Sequence, residues 1–75
     1  MIFKLYLPSG KAFMTKEFDD ANVRDGFSVN GRAVTYTDDI TIEISRYATV
    51  DRAFEVYDEI VNAYNAHKSF TLPEM

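Results

Sequence analysis

Apolar and polar residues alternate over residues 2–7, IFKLYL, with Phe3, Leu5 and Leu7 on one face and Lys4 and Tyr6 on the other. A period of two is the pattern of a strand with one buried face. Pro8-Ser9-Gly10 then combines a fixed φ with a residue free to take a positive one, so the chain is expected to turn. Residues 11–18, KAFMTKEF, fit a returning strand and hence an amino-terminal hairpin; a helical turn through FMTKEFDDA is the competing reading. Residues 19–26, DDANVRDG, are rich in turn formers and poor in apolar side chains, which predicts the longest loop of the chain.

Asn30-Gly31 lies between two short alternating runs, residues 27–29 and 33–37, and is a strong local signal for a hairpin. Asp38-Asp39 reads as the next tight connection. Beyond it, ITIEISRY points Ile40, Ile42 and Ile44 inward and Thr41, Glu43 and Ser45 outward. The periodicity then changes. Residues 47–68 place Val50, Ala53, Phe54, Tyr57, Ile60, Val61 and Tyr64 at spacings of three and four, the stripe of an amphipathic helix. Thr49 stands at the N-cap, its hydroxyl able to accept from the backbone N–H of residue 51 or 52, and Asp51 in the first turn and His67-Lys68 in the last suit the helix dipole. Pro73 ends regular structure, so SFTLPEM is expected to be a tail or edge segment pinned by Phe70 and Leu72. The pattern predicts one α+β domain over residues 1–75: an antiparallel sheet of four to five strands with one long C-terminal helix packed on one face.

Composition narrows what such a domain can do. A chain of 75 residues buries only about 60% of its unfolded surface, so one core is expected, relying on aromatic rings drawn from six Phe and five Tyr in the absence of Trp, with some of the rings left outside. There is no cysteine, which removes disulfides, thiolate metal sites and cysteine nucleophiles and fits a reducing compartment. No apolar run approaches the length of a membrane span, and residues 1–11 do not make a signal segment, so a cytoplasmic protein is expected. The net charge of −4 argues against direct nucleic-acid binding. It is unevenly placed: Lys4, Lys11 and Lys16 precede residue 17 without an acid, whereas Asp38, Asp39, Glu43, Asp51, Glu55, Asp58 and Glu59 face only Arg46 and Arg52.

The residues offer little for catalysis. His67 is the single histidine, so a histidine metal cluster cannot form, and its place at a helix end reads as solvated rather than catalytic. Asp19-Asp20 and Asp38-Asp39 lack the spaced oxygens of a calcium loop and read as turn residues. No phosphate loop, dinucleotide glycine pattern, nucleophile elbow or HExxH occurs. The expectation is a protein that is not an enzyme and needs no cofactor.

Two surfaces remain as candidates. Asp51, Glu55, Asp58 and Glu59 lie opposite the expected apolar stripe. They read either as a solvated face that keeps a small protein soluble or, with Glu43 and Asp38-Asp39, as an acidic surface complementary to a basic protein groove. Tyr6 and Tyr47 fall on the outward phase of their strands and are candidate interface anchors, while Tyr36, Tyr57 and Tyr64 are assigned to the core.

IEISRYATVDRAFEVYDEIVNAY, residues 42–64, resembles small uncharacterised proteins from phages and mobile elements of Gram-positive bacteria. In these an alternating strand ends in a Tyr, a Thr caps a helix and an Ala opens the aliphatic stripe, positions that look like Tyr47, Thr49 and Ala53. The resemblance implies a viral or mobile-element protein that acts by binding in a bacterial host. Its group includes anti-CRISPR and other anti-defence inhibitors that block nucleic-acid channels. It assigns no functional residue. The leading expectation is an acidic inhibitor that presents carboxylates to a basic groove of a nucleic-acid-handling protein. The alternatives are a self-associating structural or regulatory module and a protein that sequesters a small ligand such as a nucleotide.

Overall fold

The computed structural model describes residues 2–17 and 20–74. Its elements are β1 (Ile2–Tyr6), β2 (Ala12–Glu17), α1 (Asp20–Gly26), β3 (Phe27–Asn30), β4 (Ala33–Thr37), β5 (Thr41–Arg46), α2 (Val50–Asn65) and β6 (Phe70–Thr71). The class is α+β, as the pattern predicts, but the strands form two three-stranded sheets rather than one sheet of four or five. Their orders are β2-β1-β6 and β3-β4-β5. Nor is the helix the last element, because β6 follows it and pairs parallel to β1, Leu5 beside Phe70 and Tyr6 beside Thr71.

The first hairpin forms as the alternation predicts. β1 and β2 pair antiparallel, and the turn between them is closed by Leu7 N–H to Lys11 O and Gly10 N–H to Leu7 O, both 2.8 Å. Gly10 takes φ 89°, which a residue with a Cβ adopts only under strain. Phe18 and Asp19, the ends of two predicted segments, lie outside the described residues.

The expected loop over residues 19–26 is instead the short helix α1 over its described part. Seven residues are too few to hold a helix by propensity alone. What holds it is packing against β3, β4 and α2, anchored by Val23, which is buried. Gly26 is there because of a close approach: a Cβ on it would lie 2.5 Å from the ring of Tyr36. Its sequence signal as a turn residue therefore misleads.

β3 and β4 pair from Phe27–Tyr36 to Asn30–Ala33, so the loop is Gly31-Arg32, and Asn30 belongs to the strand. Gly31, at φ 62°, holds the first central position of that two-residue loop, where a hairpin turn of type II′ requires a positive φ. β4 is the central strand, and Ala33, Val34, Thr35 and Tyr36 are all buried. Thr35 meets the Ser28 hydroxyl across the ladder at 2.8 Å, which satisfies the polar group in that layer.

β5 departs from simple alternation. The register passes from Val34–Ser45 to Thr35–Glu43, leaving Ile44 as an extra residue in the strand. Such a bulge reverses the phase of every side chain beyond it. Ile42 is half-buried and Ile44 buried, as the alternation predicts, but Ser45 is half-buried rather than outward, and Tyr47 is buried rather than exposed. Ile40 precedes the strand and is 72% exposed, so it does not point into the core.

Phe3 and Leu5 from the first sheet, Phe27, Val34 and Tyr36 from the second, Ile60 and Tyr64 from α2, and Leu72 after β6 join one core. Phe3 and Tyr64 meet edge to face at 5.8 Å, joining the first sheet to the helix.

Candidate functional site

Helix α2 begins where Thr49 was expected to cap it. Thr49 has extended φ and ψ, and its hydroxyl accepts a hydrogen bond from Arg52 N–H at 3.1 Å. The carboxyl end closes with Ala66 as C-cap and His67 at φ 58° beyond it. Lys68 N–H donates to Ala63 O at 2.9 Å and His67 N–H to Tyr64 O at 3.1 Å, the paired bonds of a Schellman motif. His67 and Lys68 thus lie beyond the last turn, and His67 terminates the helix in a conformation that glycine usually supplies.

The face this helix buries is the predicted stripe in part, shifted so that Val56 joins it while Val50 and Phe54 fall outside. Ala53, Val56, Ile60 and Tyr64 point into the core, with Tyr57 and Val61 half-buried. Val50 is 44% and Phe54 53% exposed, which corrects their assignment to the core. The helix carries two apolar stripes at spacings of three and four, and both satisfy the same period. The inner one takes Val56, and the outer one, Val50-Phe54-Tyr57-Val61, is only partly covered.

The carboxylates divide by their partners. Arg52 reaches Glu55 at 3.9 Å and Glu59 at 3.7 Å, and its guanidinium carbon stands 5.9 Å from the centre of the Tyr47 ring. Glu43 is held on its own strand by Arg46 at 2.6 Å. That hydrogen bond, with the charge of Glu43, raises the Arg46 pKa above its usual value. Asp51 and Asp58 make no ion pair among the described residues. They sit three before and four after Phe54, so they flank its ring on the helix surface. Asp38 and Asp39 are exposed in the turn between β4 and β5, where Asp38 N–H donates to Ile40 O at 3.1 Å. They and Glu43 belong to that hairpin, not to the helix cluster.

Of the two tyrosines proposed as anchors, Tyr6 is half-buried between its strand neighbours. Tyr47 is no anchor, being 1% exposed, with its hydroxyl donating to Pro73 O at 3.1 Å. Burial pushes its pKa up and Glu59 adds to this, while Ser45 and Arg52 pull the other way.

Beside the outer stripe lies a groove that the sequence reading missed. One cleft of about 320 Å³ is lined by Phe54 and Tyr57 of α2, Arg24 of α1, and Phe27, Ser28 and Val29 of β3. A second, of about 250 Å³, continues past Tyr57 and Arg24 to Val61, Tyr64 and Asn65. Arg24 approaches Asp25 at 3.6 Å, so its charge is partly offset locally. Reading residues 19–26 as a loop concealed the wall that Arg24 supplies. Among the described residues no group of three or more His, Asp or Glu side chains is placed to hold a metal ion, and no helix is long and apolar enough to cross a membrane. Comparisons with protein-family models, with curated proteins and with solved structures each return no match.

Proposed function

We propose that the chain is a non-enzymatic binding protein that engages a basic protein surface through the outer flank of α2. The observation that carries this is Phe54: a large apolar ring, 53% exposed, set between Asp51 and Asp58, neither of which has a cation of its own among the described residues. An exposed aromatic ring that can enter a pocket supplies affinity by desolvation, and flanking carboxylates orient the encounter with a positive partner. Glu55 and Glu59 contribute less, because Arg52 already offsets them.

In its specific form, the partner is a nucleic-acid-handling protein whose basic groove receives these carboxylates, and the chain acts as its inhibitor. The net charge of −4 supports the electrostatic part of this reading.

The test is affinity capture from a bacterial lysate with three immobilised forms: the native chain, Asp51→Asn/Asp58→Asn, and Phe54→Ser. A partner retained by the native chain, released by raised salt and lost from both variants is the expected result. Equal retention by all three, with melting temperatures unchanged, overturns the assignment of this flank.

A further inference from the structure

β3 is an edge strand, with β4 on one side and, among the described residues, no strand on the other. Its two-residue loop fixes Asn30–Ala33 and Ser28–Thr35 as the pairs that exchange main-chain hydrogen bonds. The main-chain groups of Val29, between them, are therefore directed away from β4. Three consecutive residues, Phe27, Ser28 and Val29, line the larger cleft. Successive side chains of a strand point to opposite faces, so three in a row can border one cleft only where it runs past the strand's edge.

The two clefts share Tyr57 and Arg24 and follow α2 from Phe54 to Asn65, a run of about 16 Å at the helical rise. An extended chain of about five residues covers that distance. The groove thus pairs an open strand edge with an apolar helix flank, the two components of recognition by strand addition.

We propose that this groove binds an extended segment of a partner protein. The segment adds as a strand to the β3 edge, seats alternate apolar side chains against Phe54, Tyr57 and Val61, and carries a basic residue at the end beside Phe54, where it meets Asp51 and Asp58 of the same helix. The charge of the segment rests on the reading in the preceding section; the strand geometry does not. Charge also selects this occupant over a second copy of the chain, which would bring a further net charge of −4 to a chain that already carries −4.

The probes are fluorescent hexapeptides with Lys at both ends and Val, Leu or Phe alternating with Thr between them, each made also with N-methyl groups on one or the other alternate set of amides. Controls carry Glu in place of Lys. The expected result is saturable binding of the Lys peptides to the intact chain, with slowed amide exchange at Val29. One N-methyl phase should weaken binding at least tenfold while the other leaves it nearly unchanged, because only one set of amides faces β3. Binding should also weaken in Phe54→Ala. Failure of every Lys peptide to bind overturns the proposal, as does equal binding by both methylated phases or Val29 exchange that does not slow. Micromolar self-association by sedimentation that protects Val29 without peptide overturns it in favour of a second copy. Val29 protection that persists undiminished in Asp51→Asn/Asp58→Asn contradicts the carboxylate reading and leaves strand addition standing. Binding that depends on Asp51 and Asp58 without protecting Val29 has the opposite meaning.

Discussion

Tyr47 and His67 are the residues whose roles the structure changes most. Tyr47 was expected at the surface because it follows an alternating strand on the outward phase; the extra residue at Ile44 brings it inside. Its hydroxyl pKa is raised by burial, so the native state resists ionisation more than the unfolded chain does. The stability this group contributes is complete below its unfolded value of about 10 and is lost as pH rises through the higher folded value. Urea unfolding between pH 8 and 11 should therefore show an alkaline loss of stability that is shallower in Tyr47→Phe, even though that variant starts lower for want of the bond to Pro73 O. His67 occupies the left-handed region at φ 58°, where a Cβ costs about 1–2 kcal/mol. His67→Gly is expected to raise stability by up to about 1 kcal/mol in thermal unfolding, the relief being partly offset by the extra entropy of an unfolded glycine. A lower melting temperature would mean that the His67 side chain holds the helix end by contacts worth more than the strain.

At the scale of elements, what could be read from the sequence depended on how local the cause was. The β1–β2 and β3–β4 hairpins, the Thr49 cap and the start of α2 follow from residues close in sequence. Helix α1 does not, because its support comes from Val23 packing onto β3, β4 and α2 and from the clearance that Gly26 gives Tyr36. The bulge in β5 is likewise set by pairing with β4, so no pattern within the strand announces it. The outward face of α2 was ambiguous for a different reason: two stripes meet the same helical period, and only the position of the sheets selects Val56 over Phe54 for the core. The acidic residues of the helix were legible as a group, but their division was not, since it depends on the reach of Arg52 to Glu55 and Glu59. The groove was invisible for the same reason as α1, whose Arg24 forms its wall.

For the whole molecule, these details combine into a chain with one core and one incompletely covered flank. Two small sheets and α2 close around Phe3, Leu5, Val34, Ile60 and Leu72, while Phe54, Tyr57, Val61 and the β3 edge border open space. A small domain gains from burying every large apolar side chain it has. An aromatic ring left half exposed between two carboxylates that have no ion pair among the described residues is therefore the feature that most favours binding over a purely structural helix. That reading depends on Phe54 contributing little to the fold, which equilibrium urea unfolding of Phe54→Ala beside Ile60→Ala measures directly. The account predicts a loss of about 1 kcal/mol for Phe54→Ala, as for a side chain that stays half exposed. It predicts about 2–5 kcal/mol for Ile60→Ala, which empties a fully buried site. A loss of about 3–5 kcal/mol for Phe54→Ala, the range of a buried aromatic ring, would place Phe54 in the core and contradict the binding flank.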